Sequence, residues 1–399
     1  MKKLLLTLCL MVTAVVSGVF VAGVTAYFLK FLYRSIEFLW HDLPALVSPT
    51  GEIPYFTLFL GIIGGILVGL CHKYLGDHPK LLQDSIASFQ KTNRFDYTHI
   101  WQGALTAGTS LLFGASLGPE AALLDLAGGL STWSGDQMRK IGVPAGVVAA
   151  DEPWPRAWKW ALFLVALVSG MATFKVVAGD LFSGGLLETA VYQFHYLDLL
   201  WAVPVGIAGA VGGVFFNKLQ AILPPLLQGL KGRPVLRSLS GGMMLGVLAS
   251  IFPLILFSGQ HELQPLHDSS ASVVFWFVLL TGIAKFFVTS FLLTTGWKGG
   301  QFLPIMLGGA ALGLAISMLI PGVSPIVAVI GGMAGSTVAV IRQPLAVVIL
   351  LLLFFPLKLV GVMMVAALVG LLIARPFALP PGQIVFGRAK QSAASASTD

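Results

Sequence analysis

The sequence predicts an all-α membrane protein made of two halves with inverted topology, in which several helices are tilted and interrupted. Of its 399 residues, 56% are hydrophobic and only 10% are charged, which is typical of polytopic helical membrane proteins and foreign to soluble folds of this length. A β-barrel would instead show short alternating segments. The 46 glycines and 22 prolines indicate helices that pack closely and break within the membrane.

The N-terminal apolar run resembles a signal peptide, but it continues to Leu29 without a convincing small-residue cleavage site. We therefore predict a first membrane helix over residues 4–33. The polar segment 76–95 predicts a short helix that does not cross the membrane, opened by Asp77 or Pro79. The other apolar segments of this part of the chain are 54–71, 100–117, 119–132 and 157–174.

The later part of the chain continues the alternation of apolar runs and polar breaks. Its apolar segments are 199–216, 239–258, 272–293, 302–320, 323–341 and 345–374. A basic, proline-containing loop is predicted at Pro224–Arg237. The polar tail, 381–399, is expected to be disordered. Its basic residues, Arg388 and Lys390, predict a cytoplasmic C-terminus beside a cytoplasmic N-terminus.

These elements divide into a first transmembrane half, 1–196, a second transmembrane half, 197–380, and the tail. Each half holds one interruption of similar design, in which glycines and a proline precede an apolar run: GASLGPEAALL in the first and GGQFLPIMLGG in the second. Broken helices at corresponding places in two halves indicate a transport site at a repeat interface. A chance likeness between two segments rich in glycine and proline is the alternative.

The first interruption, Gly114–Asp125, carries a lone carboxylate, Glu120, between two apolar runs. Pro119 suits the first position of a helix, where a missing N–H costs nothing. Glu120 and Ala121 would then carry free N–H groups at the positive end of a helix dipole, which is an anion site. A carboxylate fixed there occupies the site until it is protonated or displaced. An acid that only stabilises a helix is the alternative, but intramembrane carboxylates are rare and usually functional.

Other classes of function find little support in the sequence. The net charge of +7 comes from basic residues scattered at segment ends, which the positive-inside rule explains without nucleic acid. The histidines and the two cysteines lack metal-ligand spacing, so neither a metal nor a cofactor is expected. We find no HExxH, no GxSxG and no paired intramembrane aspartates. The chain is therefore not expected to be an enzyme.

Several segments resemble the chloride channel and chloride/proton exchanger (CLC) family. LGPEAA resembles the family's GREGP segment, with Glu120 at the position of the gating glutamate, and GGQFLP resembles GxFxP, with the match continuing through Leu307 and Gly308. The run GMAGSTVAVIRQPLAVVILLL and the FNK that ends at Lys218 are also similar to family segments. These matches keep the family's order over roughly residues 55–377.

The resemblance implies that several helix N-termini point at one pore, so that an anion is attracted yet can leave. It implies amide donors near Glu120 and Ala121 in the first half and near Gln301, Phe302 and Leu303 in the second. The gating glutamate would compete with halide for one position, and its protonation would release it. The resemblance also implies a homodimer in the lipid bilayer of the plasma membrane.

The departures from the family pattern affect the central anion site. The family's arginine in GREGP is Pro119. The family's GSGIP segment, whose serine touches the central anion, appears only as LGDHP at residues 75–79, which lacks the serine and brings Asp77, a residue that would repel an anion unless it points away as a cap. The family's pore tyrosine falls at Phe377, which keeps the ring and lacks the hydroxyl. The inner proton-transfer glutamate of exchangers falls at Glu188, with Thr189 as the alternative at that position.

We therefore expect a transporter that moves small anions, chloride first among them, in exchange for protons. A passive anion channel or a fluoride-type exporter is the alternative within this class, and a membrane-embedded enzyme or regulatory subunit without transport is the alternative outside it. Lys298 is expected to snorkel to the interface, although a role at the anion entrance stays open. A structural pair and a pore role stay open for Lys285. Asp125 is expected to make a buried hydrogen bond or pack a helix, with a proton relay as the alternative.

Overall fold

Lipid offers no partner for backbone polar groups, and this chain satisfies them within helices. The computed structural model describes residues 2–48, 53–79, 82–144, 154–179, 192–259, 263–264, 266 and 274–377. Its α-helices are α1 Lys2–Glu37, α2 Leu43–Val47, α3 Phe56–Leu75, α4 Leu82–Thr92, α5 Ile100–Leu112, α6 Glu120–Gly142, α7 Arg156–Ala178, α8 Leu197–Leu226, α9 Pro234–Ile251, α10 Phe275–Thr294, α11 Phe302–Leu319, α12 Pro325–Ile341, α13 Pro344–Leu352 and α14 Val360–Ala374. Among the described residues, eight helical stretches are long and apolar enough to cross a membrane. The all-α membrane prediction is confirmed.

Three predicted boundaries are wrong, each for a local reason. The apolar segment 345–374 is two helices, α13 and α14, because Pro356 excludes the preceding residue from helical geometry. The predicted loop Pro224–Arg237 is shorter, since α8 continues to Leu226 and Pro234 occupies the first position of α9. Helix α6 was predicted to end at residue 132 but continues to Gly142 through good helix formers such as Arg139 and Lys140.

The described chain forms two compact units that interleave along the sequence. The first unit takes its residues from Met1–Phe56, Leu70–Gly185 and Lys298–Gly300, and the second from Thr57–Gly69, Leu186–Trp297 and Gln301–Asp399. Helix α3 therefore contributes to both units, and three residues of the second interruption belong to the first unit. The division into halves at 1–196, 197–380 and 381–399 concerns inverted topology and stays a prediction.

In the first unit, α1 packs against α7 along a seam of small residues. A Cβ at Gly18 would lie 2.9 Å from the carbonyl carbon of Ala166, and one at Gly170 would lie 3.2 Å from the Gly18 oxygen. Ser169 Oγ donates to the Val15 carbonyl at 3.2 Å. Small residues let membrane helices approach closely enough for such contacts.

In the second unit, α12 is buried along nearly its whole length between α8, α11 and α14. A Cβ at Gly209 would lie 2.9 Å from the carbonyl carbon of Gly332, and one at Gly313 would lie 2.8 Å from that of Ala328. Asn217 Nδ2 donates to the Ala339 carbonyl at 3.0 Å. Glycine therefore sets the spacing of this core, which holds the helix that begins at the second interruption.

Lys285 lies inside this unit, fully buried on α10. Its ammonium donates to three consecutive carbonyls, those of Ile255 at 2.9 Å, Leu256 at 3.0 Å and Phe257 at 2.8 Å. A lysine ammonium has three N–H donors, which match these three oxygens. The structure thus gives Lys285 a structural role at the end of the short 3₁₀-helix Pro253–Ile255.

The start of α8 is fixed by the buried Asp198 in its first turn. Its carboxylate accepts a hydrogen bond from the His195 backbone N–H at 2.9 Å and another from the Tyr192 hydroxyl. Burial, and then the hydrogen bond to Asp198, raises the pKa of the Tyr192 phenol. Lys358 Nζ donates to the Tyr192 carbonyl at 2.7 Å, so this turn is tied to the segment that precedes α14.

Candidate functional site

The turn between α5 and α6 places a carboxylate at the start of a helix, as the sequence predicts. Helix α6 begins at Glu120, and Pro119, with φ −74° and ψ −5°, is its N-cap residue. The prediction of Pro119 at the first helical position is therefore wrong by one residue. Glu120 and Ala121 nevertheless remain among the first four residues, whose N–H groups have no partner within the helix. Ala121 is 2% exposed.

The two interruptions meet in the first unit through a single antiparallel bridge. The Gly118 N–H donates to the Gly300 carbonyl at 2.7 Å, and the Gly300 N–H donates to the Gly118 carbonyl at 2.6 Å. The neighbouring Gly299 has room only for hydrogen, because a Cβ there would lie 2.6 Å from Leu117 Cβ. The backbone of the segment 298–300 is thereby fixed beside the turn that leads into Glu120.

The carboxyl group of Glu120 lies over these two glycines. Its Cδ is 2.5 Å from the position of a Cβ on Gly118 and 2.7 Å from that of a Cβ on Gly300. Any larger residue at either position would take space that the carboxyl now fills. We call this arrangement of Gly118, Gly300 and the Glu120 carboxyl the glutamate seat.

Asp77 and Lys298 form an ion pair that sequence reasoning missed. Lys298 Nζ lies 2.7 Å from Asp77 Oδ1, and His72 Nδ1 lies 3.4 Å from the same oxygen. The lysine side chain is 11% exposed and that of Asp77 is 77% exposed. The snorkelling expectation for Lys298 is therefore wrong. The Lys298 N–H donates to Ser110 Oγ at 3.0 Å, which fixes its backbone.

In the second unit, Gln301 is the N-cap residue of α11, and the helix begins at Phe302. The Gln301 carbonyl accepts from the Ile305 N–H at 3.1 Å. Gln301 and Leu303 are buried, at 9% and 7% exposure. Phe302 and Leu303 thus stand in the first turn of α11. Their role as anion donors stays a prediction.

Phe377 ends a short 3₁₀-helix, Arg375–Phe377, and its side chain is half exposed. The Lys218 ammonium lies 4.9 Å from the centre of its ring. Arg342 Nη2 lies 3.5 Å from its carbonyl oxygen. The ring therefore faces a cation, and the predicted pore role of Phe377 stays a prediction.

The remaining candidates divide into described and undescribed residues. Asp125 accepts a hydrogen bond from Ser85 Oγ at 2.8 Å, so the expected hydrogen bond is present. Glu188 and its alternative Thr189 lie outside the described residues. Among the residues that the structure does describe, no group of three or more His, Cys, Asp or Glu side chains could hold a metal ion.

Comparisons with known proteins identify the family to which the chain belongs. Membrane-spanning helices, with two interruptions joined at a carboxylate-bearing turn, define a multi-pass membrane protein with a transporter fold. The chain belongs to the voltage gated chloride channel (CLC) family, whose profile matches residues 142–375. It is a membrane anion transporter of that family.

Relatives lie at moderate distance. The YfeO proteins of Salmonella schwarzengrund and Salmonella paratyphi A, named as candidate ion-transport proteins, are each 25% identical over 350 residues, which covers 77% of this chain and 80% of theirs. A slow cyanobacterial Cl⁻/H⁺ antiporter has the same fold, with a TM-score of 0.70 at 19% identity, over 92% of this chain and 94% of that one. A CLC-type fluoride/proton antiporter gives a TM-score of 0.66 at 17% identity, over 94% and 97% of the two chains.

Proposed function

We propose that the protein exchanges small anions, chloride first among them, for protons across the plasma membrane, with Glu120 as the gate. The glutamate seat carries this proposal, because it holds a carboxylate where an anion would bind. A negative charge at a helix N-terminus is stabilised by roughly 0.3–1 kcal/mol. Protonation removes that stabilisation, so a proton on Glu120 favours its departure and an anion favours its replacement.

Coupling follows if the same carboxyl group must be neutral or displaced whenever an anion passes. Proton and anion movements are then linked through Glu120, and no second gate is needed on the side of the protein where Glu120 lies. Glu188 is proposed as the inner proton-transfer group, with Thr189 as the alternative residue at that position. Because this segment lies outside the described residues, the proposal for Glu188 rests on its sequence position alone.

The amides of Ala121, Gln301, Phe302 and Leu303 are proposed as anion donors, with Phe377 lining the path. Helix N-termini attract an anion without placing a full positive charge beside it, which lets the anion leave. The first-turn positions of Ala121, Phe302 and Leu303 support this part of the proposal.

Fluoride is the second candidate substrate. The segment LGDHP lacks the serine of the family's GSGIP, and Phe377 lacks the tyrosine hydroxyl, so the central site has lost two donors that suit chloride. A solved relative of the same fold is named as a fluoride/proton antiporter. Passive anion conduction is the remaining alternative within the class. We further propose a homodimer with cytoplasmic termini and no enzymatic activity.

Vesicles that contain the purified protein test the proposal. An outward gradient of chloride, fluoride or nitrate is imposed, and anion efflux and internal pH are recorded together. We expect chloride efflux accompanied by proton uptake, and faster fluoride efflux would select the second candidate. Anion efflux without any pH change would select the channel, and no anion efflux in any salt would refute transport.

A further inference from the structure

We propose that the Lys298 ammonium is a binding group for the transported anion and that the Asp77 carboxylate occupies it as a tethered, displaceable competitor. This inference deepens the proposed function and depends on it for the identity of the anion. The ligand class is a small inorganic anion. The ammonium is a compact point charge, which favours a small ion over an extended one.

The place of Lys298 in the first unit supports this role. Only Gly299 separates it from Gly300, which forms half of the glutamate seat, and two residues of chain span at most about 7 Å. The bridge between Gly118 and Gly300 holds this segment, and the Lys298 N–H is fixed by Ser110 Oγ at 3.0 Å. The backbone that carries the ammonium is therefore anchored close to the gate.

The two partners of the pair differ in exposure. The Lys298 side chain is 11% exposed, whereas the Asp77 side chain is 77% exposed. The exposed carboxylate is hydrated again when it leaves, so the cost of breaking the pair falls chiefly on the buried lysine. The mostly buried lysine remains, and its charge then needs another anion. His72 Nδ1 contacts the same Asp77 oxygen at 3.4 Å.

A full positive charge on an anion path would normally hold the ion too tightly for transport. Conduction needs a site that is favourable enough to enter and weak enough to leave. Asp77 meets this need, because it returns to Lys298 as the anion departs. It would act at Lys298 as Glu120 acts at the helix N-terminus. The chain would then carry two tethered carboxylates, one for each positive site.

Calorimetric titration of chloride and of fluoride into the detergent-purified full chain tests this inference. Asp77→Asn removes the competitor, so we expect binding about 1.4-fold to fivefold tighter than in the wild type, the range that the energy of a partly exposed ion pair sets. Lys298→Met should abolish this gain, and the double variant should match Lys298→Met. Asp136→Asn is the matched control, because it breaks the ion pair with Arg94, whose atoms are 2.6 Å apart, away from the gate. The control should bind anions as the wild type does.

Unchanged anion affinity in Asp77→Asn, or a gain that survives in the double variant, would overturn the inference and reduce the pair to a structural tie. If Asp77→Asn does not fold, Asp77→Ser is titrated with the same two expectations. Binding is measured without transport, so the outcome is separate from the vesicle experiment. If the vesicles show proton-coupled anion flux but Asp77→Asn does not change anion affinity, this inference is wrong and the proposed function stands. If Asp77→Asn binds the anion more tightly but the vesicles show no anion flux, the proposed function is wrong and this inference stands.

Discussion

Replacing Gly300 by alanine would place a methyl group against the Glu120 carboxyl. Its Cβ would lie 2.7 Å from Glu120 Cδ and 3.0 Å from Glu120 Cβ, whereas carbon atoms in contact prefer about 3.5–4.0 Å. The carboxyl group must therefore move by about 0.8 Å or more. The φ angle of Gly300 lies outside the left-handed region, so its backbone accepts alanine. The carboxyl of Glu120 can rotate away, whereas relief of the contact at Glu120 Cβ also needs a small backbone shift, because rotation of the side chain does not move Cβ.

The displaced carboxylate loses most of its favourable position at the helix N-terminus. That position is worth up to about 1 kcal/mol, which corresponds to about a fivefold change in occupancy of the seat. We expect Gly300→Ala to raise chloride flux severalfold at low chloride and to lower the number of protons moved per chloride. Vesicle efflux with simultaneous pH recording measures both quantities.

Two comparisons make this test specific to the glutamate seat. Gly135 lies on α6, the helix that also carries Glu120. Gly135→Ala adds a methyl group with no atom within 4 Å, so chloride flux and proton coupling should not change. Gly300→Ala combined with Glu120→Gln should behave as Glu120→Gln alone, because the methyl group acts through the glutamate. If a folded Gly300→Ala protein couples protons to chloride as the wild type does, the proposed role of the glutamate seat in transport is refuted.

Two further predictions concern stability. Lys285→Met leaves three carbonyls without this donor, two of them on buried residues, at about 1–3 kcal/mol for each buried unsatisfied group. The melting temperature in detergent should therefore fall sharply; a fall no larger than that of Gly135→Ala would show that the three contacts contribute little. Arg94, on the surface and outside the eight candidate spans, holds the pKa of Asp136 below its usual range, chiefly through a hydrogen bond. This pair contributes stability above the ordinary aspartate pKa and loses it as the pH falls through the lowered value. Asp136→Asn should therefore cost less than about 1 kcal/mol at pH 7 and progressively less as the pH falls; a cost that does not change with pH would contradict the assignment.

Long apolar runs made the helices readable from the sequence, because a segment that spans lipid must be both apolar and internally hydrogen-bonded. The start of α6 at Glu120 was readable for a similar reason, since a proline and an acid mark a helix N-terminus. The break in 345–374 had a local signal in Pro356 that the apolar run concealed. Apolar composition alone cannot separate one long helix from two short ones.

The sequence did not predict the contacts between residues that are far apart along the chain. No periodicity or spacing in the sequence predicts the Asp77–Lys298 ion pair. Taken alone, Asp77 is typical of a helix cap and Lys298 of a membrane interface. For Lys285 the sequence leaves a structural pair and a pore role open, and in the structure backbone carbonyls at the end of a 3₁₀-helix accept hydrogen bonds from its ammonium. Such partners depend on where the backbone ends a turn, which only the folded chain shows. The glycines of the seat had a signal, because both interruptions place glycine before the helix.

The assignment of the gate to Glu120 is tested most directly by flux in vesicles, with chloride and protons recorded together for the wild type and for Glu120→Gln. Glutamine keeps the size of the side chain and removes its charge and its titration. We predict proton-coupled chloride movement in the wild type and chloride movement without protons in Glu120→Gln. Proton coupling that persists in Glu120→Gln would contradict the assignment of the gate to this residue.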